Sequence, residues 1–395
     1  MNQKSLVLLV VAILLVGGVA TYIALSNDNK SSDGTIVDAA GRSVAVPEDL
    51  SGGIVTAGPG ALRFVSYFGD VTATGTSETI ADSVVMVDKG DAGSVAGGSS
   101  NQGGKTYQYA YEYYLNADLK WHTHNAIENT DMASILEIDP SVIVVTDTVY
   151  NTYKSNCDQL ATAYTLIVVY ELTDFFDYDS FTVSEKFEGQ ITNLGKLFKA
   201  EDRAKELIDG TNDILLDIDT IVGNNVSTKG VFLAGVAYGG AKTLVYSTGD
   251  FSSLKLVNGS NVVSSSVSSV SEIPISDILS YNIDIVLVDP LYKVDATSTT
   301  VQAFLEDVSD VDKYVILPYF WFGQNLENIL GNAYFLADLL YEDITVDYAQ
   351  KITEINTLFL GEKGASAFDN MNAWSSGNTK NGASMELLTE VTLTS

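Results

Sequence analysis

Apolar residues occur along the chain in short β-branched runs that turn residues bound on both sides. Most of these runs are apolar at every position, which is typical of parallel strands that helices cover on both faces. The predicted strands span residues 54–57, 142–146, 166–170, 231–234, 283–289 and 314–317. Helical stretches separate them, such as residues 131–138 before Pro140. This alternation predicts an α/β fold with parallel sheets.

Residues 184–222 contain no proline and carry an apolar stripe at helical spacing. The stripe consists of Ala204, Leu207, Ile208, Thr211, Ile214, Leu215, Ile218 and Ile221. The pattern indicates one long helix, or two helices broken near 199–201. This segment separates an early set of strands from a late set. We therefore expect an N-terminal lobe at 36–183, a stiff connecting helix at 184–224 and a C-terminal lobe at 225–371, with a polar, peripheral tail at 372–395.

The first hydrophobic segment, residues 5–25, carries no charge and is long enough to span about 30 Å as a helix. Lys4 precedes it, and Asp28 and Asp33 follow it, so the N-terminus is expected in the cytoplasm and the rest outside. We predict a transmembrane anchor within residues 1–26, followed by a spacer at 27–35. The alternative is a cleaved signal peptide, for which the apolar run is long. No cysteine follows the run to take a lipid.

The chain has 395 residues, 46% of them hydrophobic and 18% charged, which indicates a folded protein. Its formal net charge of −30 excludes nucleic acid as a partner and favours cationic or metal-containing solutes. Cys157 is the only cysteine, so we expect a small buried residue and no disulfide within the chain. The N-x-S/T sequons at Asn29, Asn225 and Asn258 suit an exported protein.

Several segments resemble the class III substrate-binding proteins of iron-siderophore, haem and cobalamin ABC importers. They are VDAAGRSVAVP (37–47), IVTAGPGALR (54–63), ILEIDPSVIVV (135–145) and DILSYNIDIVLVD (277–289). Residues 235–248 and 318–325 are similar to an iron-complex branch of that family. The resemblance covers roughly residues 36–371. It implies two α/β lobes joined by one long rigid helix, with the ligand in the cleft between them and small closure motions.

In the first lobe, the turn at Gly58-Pro59-Gly60 is a candidate for binding an anionic group, with Arg63 one turn later. Their alternative roles are a tight strand-to-helix connection and a structural salt bridge. The run YQYAYEYY (107–114) alternates like a strand and offers Tyr109 and Tyr111 to a large planar or chelated ligand. Trp121 is a further candidate. The alternative is that these aromatic side chains pack in the core.

His122 and His124 are the only histidines, and in a strand they would face the same side. Glu128 or Asp131 would complete a metal site there. The alternative is a pair of polar loop residues. In the second lobe, residues after predicted strands are the ligand-binding candidates. They are Tyr238, Gly240, Lys242, Tyr319, Trp321 and Asn325. Their alternative role is loop packing.

The resemblance also implies an ABC transporter permease as partner, engaged by an acidic residue on each lobe. Asp277 matches in the second lobe, whereas Ala133 replaces the family's glutamate in the first, so Asp131 or Glu128 would have to substitute.

The implied function is capture of an iron complex or cobalamin outside the cell by a monomeric receptor. No catalytic motif is present, and neither an enzymatic activity nor a cofactor is expected. The alternatives are a surface scaffold or adhesion domain of the same fold and, less favoured, a surface enzyme.

Overall fold

We describe the protein from a computed structural model, in residues 34–98, 103–171, 174–236, 242–293, 308, 310–319, 325–377 and 384–391. The predicted anchor at 5–25 lies outside these residues, as do Asn29, Tyr238, Gly240 and Trp321. No helix in the described part of the chain combines the length and apolar character that crossing a membrane requires.

Fourteen strands are described. They are β1 (Thr35–Val37), β2 (Ser43–Ala45), β3 (Ile54–Ala57), β4 (Val84–Asp88), β5 (Lys120–His122), β6 (Val142–Thr146), β7 (Thr165–Val169), β8 (Phe176–Asp177), β9 (Thr182–Val183), β10 (Val231–Ala234), β11 (Tyr246–Ser247), β12 (Ser271–Glu272), β13 (Ile285–Val288) and β14 (Asp312–Val315).

Twelve α-helices are described in the same residues. They are α1 (Ala61–Ser66), α2 (Thr106–Tyr111), α3 (Asn129–Ile138), α4 (Asp147–Thr152), α5 (Lys154–Ala161), α6 (Glu185–Phe198), α7 (Glu201–Val222), α8 (Ser252–Leu256), α9 (Ile275–Ile278), α10 (Leu326–Leu340), α11 (Tyr348–Leu360) and α12 (Ala367–Gly377). Short 3₁₀ helices occur at Ser94–Ala96, Tyr113–Leu115 and Glu362–Ser366.

Two parallel sheets organise the fold, one in each half of the sequence. The first has the order β5-β4-β3-β6-β7, and the second has the order β10-β13-β14. Every residue of β3, β6 and β7 is buried, and successive residues alternate between two hydrophobic clusters on opposite faces of the sheet. Burial on both faces explains why these strands read as unbroken apolar runs, and the α/β class with parallel sheets is confirmed.

The segment between the two sheets is a pair of helices, which confirms the alternative of two helices broken near 199–201 and corrects the expected single connecting helix. Lys199 ends α6 with φ 52°, a left-handed conformation that no helix can continue through. The Ala200 N–H donates back to the Gly195 carbonyl at 2.7 Å, closing the turn. α7 then runs for 22 residues, about 33 Å. It packs against α6, β9, α10 and α11.

The predicted peripheral tail is also corrected in part. Met385, Leu387 and Leu388 are buried in the hydrophobic cluster of the second sheet. The Leu388 N–H donates to the Val315 carbonyl at 2.8 Å, so this segment continues the hydrogen bonding at the free edge of β14. Apolar side chains within a polar stretch explain the difference, because burying them stabilises the edge strand.

Candidate functional site

The turn between β3 and α1 lies at the carboxyl edge of the first sheet. Gly58 and Gly60 have φ of 92° and 87°, values that L side chains rarely adopt. A Cβ at Gly58 would also collide with Thr146 Oγ1 on the neighbouring strand. The geometry therefore requires glycine for a tight strand-to-helix connection. A role in holding an anion stays a prediction.

Arg63 is carried by α1 and is only 1% exposed. Its guanidinium donates to the Asn325 side-chain oxygen, and its Nε lies 3.8 Å from Glu327 Oε1. Asn325 and Glu327 stand at the start of α10, in the other half of the sequence. α10 is fixed there because the Leu317 N–H, just after β14, donates to Asn332 Oδ1 on this helix. Arg63 is therefore a buried contact between the two halves.

The Glu327 carboxylate has a second partner from the first half. The Tyr67 hydroxyl donates to Glu327 Oε2 at 2.9 Å. Burial, reinforced by this carboxylate, raises the pKa of Tyr67 far above its ordinary value. Tyr67 thus stays a neutral donor to Glu327.

A second buried pair lies beside the first. Lys105 Nζ is 3.5 Å from Asp91 Oδ1, to which the Tyr107 hydroxyl donates at 2.7 Å. The Arg63 guanidinium lies 5.2 Å from the Tyr107 ring centre, which links the two pairs. Burial raises the pKa of Asp91 and lowers that of Lys105, while their mutual attraction opposes both shifts.

We call Arg63, Tyr67, Asp91, Lys105, Tyr107, Asn325 and Glu327 the junction cluster. It holds two cationic and two anionic side chains, all almost fully buried between the halves. Burying charge is costly even when the charges are paired, so hydrophobic residues would stabilise this contact as well or better. Charged groups at the carboxyl edge of a parallel sheet therefore point to a binding role.

The two histidines do not share a metal site, which corrects that prediction. β5 ends at His122, which is buried with its ring nitrogens 2.8 Å from the Thr56 carbonyl and 2.9 Å from the Thr123 carbonyl. His124 lies beyond the strand, and its Nδ1 is 2.6 Å from Asp88 Oδ1. Within the described ranges, no group of three or more His, Cys, Asp or Glu side chains is arranged to hold a metal ion.

The half-exposed His124 forms an ion pair with the buried Asp88. Burial alone would raise the pKa of Asp88, but the hydrogen bond with His124 and the nearby His122 lower it overall. The same hydrogen bond raises the pKa of His124. Each group thus favours the charged form of the other.

The tyrosine run is a helix, α2, followed by a 3₁₀ turn, which corrects the expected strand. α2 lies between two hydrophobic clusters, with Tyr107 in one and Tyr109 in the other. Both faces of the helix are therefore apolar, and its sequence shows the same alternation of tyrosines as a strand. The Tyr109 hydroxyl donates to the Gly103 carbonyl at 2.9 Å, and that of Tyr111 to the Leu360 carbonyl at 2.9 Å. Burial raises the pKa of both phenols.

The other predicted ligand residues fall in different places. Trp121 is 36% exposed, with Lys89 Nζ 4.8 Å from its ring centre, and its indole N–H donates to the Ala96 carbonyl at 3.0 Å. Lys242 is partly buried, with its Nζ 5.5 Å from the Tyr246 ring centre. Tyr319 is 1% exposed and packs edge-on against Phe251. Among the predicted ligand residues that the structure describes, Arg63 and Asn325 meet through their side chains, and the Asn325 N–H donates to the Tyr319 carbonyl at 3.3 Å.

The sequence analysis missed most of the junction cluster. Asp91 and Lys105 flank a glycine-rich stretch after β4, and that strand was not predicted. Glu327 opens a helix without any sequence signal of its own. Recognising β4 would have placed Asp91 at the carboxyl edge of the sheet, whereas Glu327 is recognisable only in three dimensions.

The predicted docking acids differ in exposure. Asp277 is exposed on α9, and Glu128 is exposed at the start of α3. Asp131 is only 7% exposed, and its carboxylate accepts from the main-chain N–H groups of Glu128 at 2.8 Å and Thr123 at 3.0 Å. Since this carboxylate caps the helix, Asp131 is corrected from a docking or metal-binding residue to a structural one.

Two surface cavities flank the β1–β2 hairpin. One of about 430 Å³ is lined by residues that include Arg42, Asp147 and Lys154, and one of about 250 Å³ lies between the hairpin, β7 and α6. Neither is lined by a residue of the junction cluster.

Two parallel sheets, a helical connection between them and buried charge where the two halves meet are consistent with the fold of a periplasmic binding protein. The chain belongs to the periplasmic binding protein family, which matches residues 75–308. Members of the class III group are solute-binding components of ABC transporters and act outside the cytoplasmic membrane. The resemblance seen in the sequence is thereby confirmed.

Solved structures share the fold at low sequence identity. An ABC transporter solute-binding protein from Sulfurospirillum deleyianum is 19% identical, with a TM-score of 0.54 over 83% of this chain and 95% of that one. The molybdate-bound protein MolA from Haemophilus influenzae is 14% identical, with a TM-score of 0.57 over 83% and 98%. The TroA-like protein FepB from Veillonella parvula is 17% identical, with a TM-score of 0.57 over 83% and 96%. No curated protein matches the sequence.

Proposed function

We propose that this protein captures an anionic iron complex, of the ferric siderophore or haem type, between its two lobes for an ABC importer. Cobalamin is the other cargo that the sequence resemblance implies. The proposed lobes are residues 36–183 and 225–371. The observation that carries the proposal is Arg63, a buried cation at the carboxyl edge of the first sheet whose partners come from the opposite half.

The chemistry of Arg63 favours an anionic ligand. Its planar guanidinium matches carboxylate, catecholate or oxyanion groups with two parallel hydrogen bonds. In this structure its guanidinium donates to Asn325, and its Nε lies 3.8 Å from Glu327 Oε1. An incoming ligand anion would replace Glu327, and Lys105 and Tyr107 would lie beside it. A local cationic site is compatible with a net charge of −30, because the acidic side chains are scattered along the chain.

A thermal-shift and calorimetric screen of residues 31–395 tests the proposal. The probes are ferric citrate, a ferric catecholate, haemin, cyanocobalamin and molybdate. A ligand that binds only the folded state at a hundredfold excess over Kd adds about 2.7 kcal/mol of stability. We expect stabilisation by a ferric chelate or haemin, with its loss in Arg63→Gln and its retention in the matched surface control Lys154→Gln. Stabilisation by no probe would contradict the proposal.

A ligand-free scaffold of the same fold is the second candidate. The junction cluster favours this candidate, because its charged side chains already neutralise one another and fill the space between the two halves of the chain. A scaffold predicts no binding to any probe and a binding partner on the cell surface instead.

For the permease we propose Asp277 in the second lobe and Glu128 in the first, since both are exposed. Charge reversal in Asp277→Lys should weaken binding to the cognate permease in proteoliposomes without changing ligand affinity. The conservative control Asp277→Glu should retain both, and equal loss in the two variants would contradict the assignment.

We further propose that residues 5–25 hold the chain at the outer face of the membrane. Mass spectrometry of the mature protein distinguishes this anchor from a cleaved signal peptide, since only cleavage removes the apolar segment.

A further inference from the structure

Two of the three sequons meet at one surface, although they are far apart in the sequence. Asn225 follows α7, and Asn258 follows α8. The Asn258 side-chain Nδ2 donates to the Asn225 carbonyl at 3.1 Å, and the Ser227 N–H donates to the Asn258 carbonyl at 3.3 Å. The two loops therefore form one patch, but their asparagine side chains are not equivalent.

Asn225 has the properties of an acceptor for a glycan. It is exposed in an irregular loop, and its side chain makes no hydrogen bond to any residue that the structure describes. Val226 beside it is 71% exposed, so the sequon projects from the surface. The Ser227 hydroxyl oxygen accepts from the Lys229 N–H at 3.2 Å, which leaves the hydroxyl proton of the sequon available to donate.

Asn258 is also exposed, but the same patch restrains its side chain. Its backbone is left-handed, with φ 51°. Its Nδ2 would have to give up the hydrogen bond to Asn225 before it could react. Gly259, the middle residue of its sequon, lies so close to Leu254 and Leu340 that an added Cβ would be 3.0 and 3.2 Å from their side chains, which restricts movement of the loop. The folded chain thus offers one sequon of this pair and withholds the other.

We infer that Asn225 is an N-glycosylation site of the exported protein and that Asn258 is not. The donor is a lipid-linked phosphorylated oligosaccharide, used by a membrane oligosaccharyltransferase. The bond between sugar C1 and the phosphate oxygen breaks, and a bond between C1 and Asn225 Nδ2 forms. Nδ2 gives one proton to a base of the transferase, and the lipid phosphate leaves as the anion. A glycan here would also keep this patch clear of protein partners.

The test is site occupancy in the full chain exported by a host that performs N-glycosylation. Peptide mapping by mass spectrometry assigns each glycan to Asn225, Asn258 or Asn29. We expect a glycan on Asn225 in most molecules and at least tenfold lower occupancy at Asn258. Ser227→Ala should remove the Asn225 glycan. Ser260→Ala removes the other sequon without changing the Asn258 side chain and its hydrogen bond, and it should leave the Asn225 glycan in place.

Synthetic peptides of residues 221–231 and 254–264 serve as unfolded controls with the purified transferase and its lipid-linked donor. We expect both peptides to be modified at similar rates, since the difference arises from the fold. Equal occupancy of Asn225 and Asn258 in the folded chain, or an unmodified Asn225, would overturn the inference. If the transferase does not modify the peptide of residues 254–264, the difference arises from the local sequence and not from the fold, and this result would also overturn the inference.

Discussion

Arg63 and Glu327 should be strongly coupled in stability, because both side chains are removed from water. Their side chains are 1% and 0% exposed, and Arg63 Nε lies 3.8 Å from Glu327 Oε1. Removing one partner of a buried pair leaves an uncompensated buried charge, at a cost of about 3–5 kcal/mol. Removing both leaves no such charge. We therefore expect Arg63→Met and Glu327→Gln each to destabilise the protein by that amount, and the double variant to lose far less than their sum.

The Glu327→Gln change is chosen because the glutamine side-chain oxygen can still accept from Tyr67. An apolar replacement would leave that hydroxyl without its acceptor, at a cost of about 1–3 kcal/mol. The double-mutant cycle then isolates the ionic coupling, which we expect to exceed about 2 kcal/mol. Urea unfolding followed by circular dichroism and tryptophan fluorescence measures each free energy of unfolding.

The pair Lys154 and Asp158 provides a matched control within the same chain. Their charged groups are 2.7 Å apart, closer than in the buried pair, but the side chains are 59% and 47% exposed. Solvent screens such pairs, so their coupling should be much weaker. If the cycle on Arg63 and Glu327 gives a coupling no larger than this control, burial does not strengthen the contact and the reasoning about the junction cluster fails.

Three further predictions test other parts of the structure. Gly58→Ala should destabilise the protein by about 1–3 kcal/mol or more, through backbone strain and steric collision. The control Gly189→Ala lies on an open helix surface and should stabilise the protein by about 0.5–1 kcal/mol. Equal free energies of unfolding for the two variants would contradict this prediction. The pair of His124 and Asp88 should stabilise the fold most at pH values between their two pKa values. The contribution of His124 is lost as pH rises through its raised pKa, and that of Asp88 is lost as pH falls through its lowered pKa. The melting temperature of His124→Gln should therefore fall less towards alkaline pH than that of the unmodified protein. Identical curves of melting temperature against pH for the two proteins would exclude the ion pair. Cys157, with its pKa raised by burial to about 11, should resist a maleimide in the folded protein and react on unfolding, and rapid labelling without denaturant would show that the site opens.

Local pattern carried much of the fold. The predicted strands at 54–57, 142–146 and 231–234 have the bounds of β3, β6 and β10. This succeeded because a strand buried on both faces is apolar at every position, whichever partners cover it. β5 was missed because it is only three residues long, with Lys120 and Trp121 exposed, so it lacks that signal. Cys157 was likewise expected to be buried, and it is.

Two structural questions that the sequence pattern left open were decided by tertiary structure. Either one helix or two was compatible with residues 184–222, and the left-handed conformation of Lys199 selected two. The tyrosine run was placed in a strand because alternate apolar positions suit either a half-buried strand or a helix wedged between two cores. Only packing against both cores distinguishes them.

The sequence by itself determined the fold class, the positions of most of the buried strands and Arg63 as a candidate, because these depend on short-range periodicity and on residues next to a turn. The tertiary structure alone decided that Arg63 meets Asn325, which lies 262 residues later in the chain, and that Glu327 and Tyr67 complete the contact. Likewise, it distinguished Asn258, whose side chain is held by a hydrogen bond, from Asn225. Such contacts arise when distant helices pack against a common sheet edge, and no local pattern records which distant side chain fills the space opposite.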